Sequence, residues 1–99
     1  MEITKAAMAG TLESSDVQIT VEPNADGTAV DIGSTVLNQY GRQIKAVVLE
    51  TLNALGVKGA KVTVVDQGAL DCTIRARTEC AVYRAAGITD NIPWGGAKQ

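Results

Sequence analysis

Between residues 36 and 55, apolar side chains recur at Val36, Leu37, Tyr40, Ile44, Val47, Val48, Leu52 and Leu55. Steps of three and four place them on one stripe of a helix. Such a stripe is stable only when another layer covers it, so this helix limits the fold more than any other feature. Ser34 or Thr35 is placed to cap its start, and Gly56 to end it. Gly41 sits inside the helix and costs about 1 kcal/mol relative to Ala, but the stripe continues past it.

The covering layer is legible on either side. "VQITVE", residues 17–22, alternates Val17, Ile19 and Val21 against Gln18, Thr20 and Glu22, the pattern of a half-buried strand. Residues 3–13 read as an irregular strand before it, and Ser14-Ser15-Asp16 has turn chemistry at hairpin length. "PNADG", 23–27, is a second turn or short loop, and "TAVDIG", 28–33, a third short strand. The first third is therefore expected to be an antiparallel meander. "AKVTVVD", 60–66, is a Val-rich strand. From 69 to 86 the pattern fits both periods. Leu70, Cys72, Ile74 and Ala76 alternate, while Leu70, Ile74, Ala81 and Ala85 lie near one helical face. Abundant Ala, Asp66 as a cap and Gly87 as a terminator favour the helix. Residues 88–99 form an irregular tail anchored by Pro93-Trp94. The expected fold class is α+β: a small antiparallel sheet, with a hairpin or meander at the N-terminus, and two helices packed on one face.

Composition excludes several functions. The chain has 99 residues, enough for one domain. With no Phe, one Trp and two Tyr, its core must be aliphatic. A net charge of −2 and no basic cluster argue against nucleic acid. No apolar run approaches the roughly 18 residues of a membrane helix, and no export signal is visible near the N-terminus. Both features point to a cytoplasmic protein. Cys72 and Cys80, eight apart, make no metal motif and are expected to be reduced and half-buried. There is no His, which removes the commonest general base, metal ligand and nucleophile activator. No catalytic residue and no metal site is expected.

Three stretches remain: "AGTLESSDV" at 9–17, "GALDCTIRAR" at 68–77 and the ending "GI…PW" at 87–94. Together, in this order and spacing, they make the chain resemble the acyl carrier protein of citrate lyase, its gamma chain. That resemblance implies an acyl carrier domain at 1–87 with the tail at 88–99. It implies a non-catalytic subunit that carries 2'-(5''-phosphoribosyl)-3'-dephospho-coenzyme A, covalently linked through a phosphodiester to a serine. In the family motif that serine follows Gly-Thr-Leu-Glu, which here designates Ser14. Ser15 falls where a small residue, often Gly, precedes the Asp. The implied partners are the alpha (transferase) and beta (lyase) chains of citrate lyase and a prosthetic-group transferase. A hairpin tip suits the role, because tips protrude and tolerate bulk. Small Ser15 leaves room, and Asp16 is placed to fold back and hold the tip. With no apolar contacts of its own, the tip is expected to be the least protected part of the sheet. Competing readings are the acyl carrier of malonate decarboxylase and a non-covalent adaptor docking through its hairpin and Pro93-Trp94. A small enzyme using Cys72 or Cys80 is disfavoured by the missing His. The helical carriers of fatty acid synthesis are disfavoured because strands flank Ser14 and Leu does not follow it.

Overall fold

The computed structural model describes residues 2–34 and 37–87. Six elements follow one another: β1 (Ala7–Gly10), β2 (Val17–Pro23), β3 (Ala29–Ser34), α1 (Leu37–Ala54), β4 (Ala60–Asp66) and α2 (Asp71–Ala85). The strands form one sheet in the order β1-β2-β4-β3. The inner face of β2, Val17, Ile19 and Val21, lies in register with Asp66, Val64 and Val62 of β4. Those valines and Ile19 are fully buried, with Ile44, Val48 and Leu52 of α1 and Ile74, Val82 and Tyr83 of α2 in the same core. Both helices therefore cover one face, as the class predicted. The other face stays partly open, with Met8 of β1 51% exposed. No described helix is long and apolar enough to cross a membrane.

The hairpin β1–β2 forms as expected, with Ala7 opposite Val21 and Gly10 opposite Gln18. The third strand departs from the meander. β2 and β3 do run antiparallel to one another, but β4 is inserted between them, antiparallel to β2 and parallel to β3. The physical reason is burial. β4 is the most buried strand, buried at Ala60, Val62, Val64 and Asp66 and half-buried at Thr63 and Val65, so it takes a central place. The loop after Pro23 passes the start of β4, where the Asn24 amide donates to the Gly59 carbonyl at 2.8 Å. Skipping one strand needs about 10 Å, within reach of a five-residue loop. α1 then supplies the crossover that a parallel pair requires.

The ends of the elements follow local chemistry. Gly56 takes φ +69° after α1. Its amide donates to Asn53 O at 3.1 Å, and Val57 N donates to Leu52 O at 3.0 Å, with Val57 and Leu52 both buried. This is a Schellman ending. Gly87, φ +77°, ends α2 with its amide on Arg84 O. Asp66 does not cap α2. It is 2% exposed and accepts from the Gly68 and Ala69 amides at 3.1 and 3.0 Å, turning the chain after β4. α2 starts five residues later, behind extended Leu70. The expected strand at 3–13 shrinks to 7–10. Before it, the Thr4 and Lys5 amides both donate to Ala85 O at the end of α2. Thr35, Val36 and the tail with Pro93-Trp94 lie outside the described residues.

Candidate functional site

The six residues between β1 and β2 carry Ser14. Gly10 begins this loop at φ +94°, and a Cβ there would meet Val17 O at 1.8 Å. Only glycine permits the two strands to part this closely. The Asp16 amide donates to Glu13 O at 3.2 Å, closing a four-residue turn with Ser14 and Ser15 at its corners. Ser15 is the single described non-glycine residue with positive φ, +65°. Positive φ at the second corner alone is the signature of a type II turn, where glycine is preferred. Ser14, at the first corner, is exposed, and among the described residues its hydroxyl makes no hydrogen bond.

The turn is pinned from both sides. The Ser15 amide donates to Gln67 O at 2.8 Å, and the Gln67 amide donates back to Asp16 O at 2.9 Å. These bonds extend the β2–β4 ladder past Val17 and Asp66. Asp16 is the second pin. Its Oδ1 accepts from the Val17 amide at 2.8 Å and from Arg77 Nε at 3.1 Å. Its Oδ2 accepts from Thr11 Oγ1 at 2.5 Å and from Arg77 Nη2 at 3.0 Å. The fork of Arg77 thus grips the carboxylate at both oxygens. The Thr11 hydroxyl first, then Arg77 and the Val17 amide, hold the Asp16 carboxyl well below the usual carboxylate range. Thr11 Oγ1 also accepts from the Glu13 amide at 3.2 Å. Asp16 was expected to fold back on the backbone, and it does so onto Val17. Arg77 is the partner that sequence reasoning missed, although it closes the "GALDCTIRAR" stretch. The expectation of a loosely held tip is modified accordingly. Apolar contacts are absent there, but hydrogen bonds from residues 67 and 77 replace them.

This arrangement suits a covalent attachment. The hydroxyl at the corner is reachable and uncommitted. The next residue carries only a small side chain. Asp16, two positions on, is paired with Arg77, so its carboxylate would not act as an unpaired negative charge beside a phosphodiester on Ser14. Ser15 is equally exposed, but its backbone is held in the left-handed region with its amide on Gln67. Cys72 and Cys80 are both free. Cys80 is half-buried as expected, whereas Cys72 is exposed.

A family model described as malonate decarboxylase delta subunit (MdcD), of the acyl carrier type, matches residues 4–85. The citrate lyase acyl carrier protein of Streptococcus uberis is 55% identical over 94 residues, which cover 95% of this chain and 92% of that protein. That of Oenococcus oeni is 52% identical over 94 residues, covering 95% and 97%. That of Vibrio cholerae serotype O1 is 53% identical over 95 residues, covering 95% and 96%. A crystal structure of a protein from Thermus thermophilus superposes with a TM-score of 0.63 at 16% identity. The match covers 85% of this chain and 16% of that one, a likeness of fold alone.

Proposed function

The chain belongs to the citrate lyase acyl carrier protein family, and from that premise we propose that it serves citrate lyase as a non-catalytic carrier subunit. Ser14 holds 2'-(5''-phosphoribosyl)-3'-dephospho-coenzyme A in phosphodiester linkage. When bound, this group supplies the thiol that carries the acyl unit between the alpha (transferase) and beta (lyase) chains while citrate is split to acetate and oxaloacetate. The protein's own contribution is presentation. Ser14 offers its hydroxyl to a prosthetic-group transferase in the cytoplasm. Ser15 leaves space, and Asp16, gripped by Arg77, keeps the turn in one shape. Tethering the thiol raises its concentration at each partner's site to the order of mM. No residue of this chain needs to move a proton, which accords with a sequence without His.

The observation that carries this reading is the exposed, unbonded Ser14 hydroxyl at the corner of a pinned turn, in a chain alike over its length to citrate lyase carriers. The family model's description keeps the malonate decarboxylase carrier as the second reading. Relatives at 52–55% identity favour citrate lyase. The test is intact mass of protein made together with its modifying enzymes. Ser14→Ala is expected to abolish the adduct and Ser15→Ala to keep it. Substitution at this exposed corner should change stability by no more than about 0.5 kcal/mol. An adduct that survives Ser14→Ala and disappears in Ser15→Ala would overturn the assignment.

A further inference from the structure

Arg77 meets Asp16 with one edge of its guanidinium, Nε donating to Oδ1 at 3.1 Å and Nη2 to Oδ2 at 3.0 Å. A guanidinium carries five N–H donors, so a second edge remains, Nη1 with the outer proton of Nη2, able to hold another pair of oxygens. Among the described residues nothing bonds to that second edge. The Arg77 side chain keeps 40% of its surface exposed, whereas that of Asp16 keeps 14%. Solvent therefore meets the pair at its cationic end. We infer that this free edge binds the phosphodiester that joins the arm to Ser14, which makes Arg77 a binding residue for the root of the arm. The inference rests on Ser14 being the attachment residue.

Position and chemistry select the occupant. Ser14 and Asp16 are two residues apart, so their Cα atoms are separated by no more than about 7 Å. The linkage on Ser14 and the fork on Asp16 thus hang from the same closed turn, Glu13 to Asp16. A phosphodiester offers two unesterified oxygens on one phosphorus, the pairing that two parallel N–H groups take up. Asp16 does not compete for this role. Its Oδ1 accepts from the Val17 amide and Arg77, and its Oδ2 from Thr11 and Arg77, so its acceptor positions are taken. It aims the fork and leaves the outer edge to the arm. Among the described residues no other Lys or Arg bonds to residues 11–17. Glu13, the other charged residue of the loop, is exposed, where salt and water screen it. With the root fixed, only the arm beyond the phosphodiester has to swing between partners.

Magnetic resonance of the arm-free and arm-bearing proteins tests this without any substitution. In the arm-free form the Nη1 amino group of Arg77 has no partner, so it rotates and its protons share a single line. On loading, the line should split as rotation stops, and the Nη1 group should show a coupling to phosphorus through the hydrogen bond. The Nη1 group of Arg75, whose Nη2 bonds Glu50, should look the same in both forms. A negative charge that is merely nearby would displace the Arg77 line without splitting or coupling it. Arg77→Lys gives a second readout. A compact ammonium cannot present one edge to a carboxylate and another to a phosphate. The phosphorus line of the diester should therefore move in Arg77→Lys towards its position in the urea-unfolded, arm-bearing protein. An adduct at Ser14 with the Nη1 line still single, or with a phosphorus line indifferent to Arg77→Lys, would overturn the contact and leave the carrier role intact. Absence of any adduct at Ser14 would overturn both.

Discussion

Replacing Gly10 by Ala tests how the hairpin is closed. Two costs add. At φ +94° an L-residue pays for the left-handed region, about 1–2 kcal/mol. The new Cβ would also stand 1.8 Å from Val17 O, 2.9 Å from Val17 C and 3.2 Å from Gln18 Cα. All three are backbone atoms, so no side-chain rotation relieves the clash and β2 itself must shift, at about 1–3 kcal/mol. The sum, about 2–5 kcal/mol, is a large part of the roughly 5–15 kcal/mol that holds a domain of this size. Gly27 supplies the control. It has φ +109° with nothing within 4 Å of a built Cβ, so Gly27→Ala bears the conformational cost alone. Urea unfolding separates the two. For a slope of about 1.5 kcal/mol per M, a loss of about 3 kcal/mol lowers the midpoint by about 2 M. Gly27→Ala should lower it by about 1 M or less on the same slope. Because β2 leads straight from Asp16, Gly10→Ala should also slow attachment of the arm. Equal midpoints for the two variants would refute the close-approach argument.

Two further outcomes follow from the same turn. Ser15→Gly should raise the urea midpoint, because glycine removes a left-handed cost of about 1–2 kcal/mol and adds back about 0.5–1 kcal/mol of chain entropy; a lower midpoint would mean that Ser15 is not strained. The Asp16 carboxyl is depressed in the folded state, so its contribution to stability is complete above the unfolded value near 3.9 and is lost as pH falls towards the folded one. Asp16→Asn should therefore flatten the acid limb of stability below about pH 5, and limbs that stay parallel would contradict the role given to Thr11 and Arg77.

Local periodicity carried α1 and β2 from sequence to structure almost unchanged. Ile44, Val47, Val48, Leu52 and Leu55 are all buried, and Gly56 ends the helix. α2 was ambiguous for a physical reason. Its core face is interrupted by Thr78 and Glu79, polar yet 0% and 5% exposed, with the Thr78 hydroxyl satisfied by Ile74 O at 2.7 Å. A polar residue that is buried and locally satisfied erases the stripe that a pattern search seeks. The insertion of β4 between β2 and β3 was hidden because strand direction is a local matter and adjacency is not. The turn that carries Ser14 was legible because turn chemistry is local. Arg77 was not, since a fork that closes over 61 positions leaves no mark near either end.

That long separation bears on when the tip takes shape in the life of the chain. Ser14 leaves the ribosome early, but Gln67 and Arg77, which give its turn a fixed form, follow only when most of the protein has been made. Contacts so distant in sequence form late, after the chain between them has collapsed. A modifying enzyme that reads the pinned turn therefore meets its substrate only on finished, folded chains. Fragments and misfolded copies, though they contain the same serine and the same neighbours, would stay bare, and loading with the arm would double as a check on the quality of the fold.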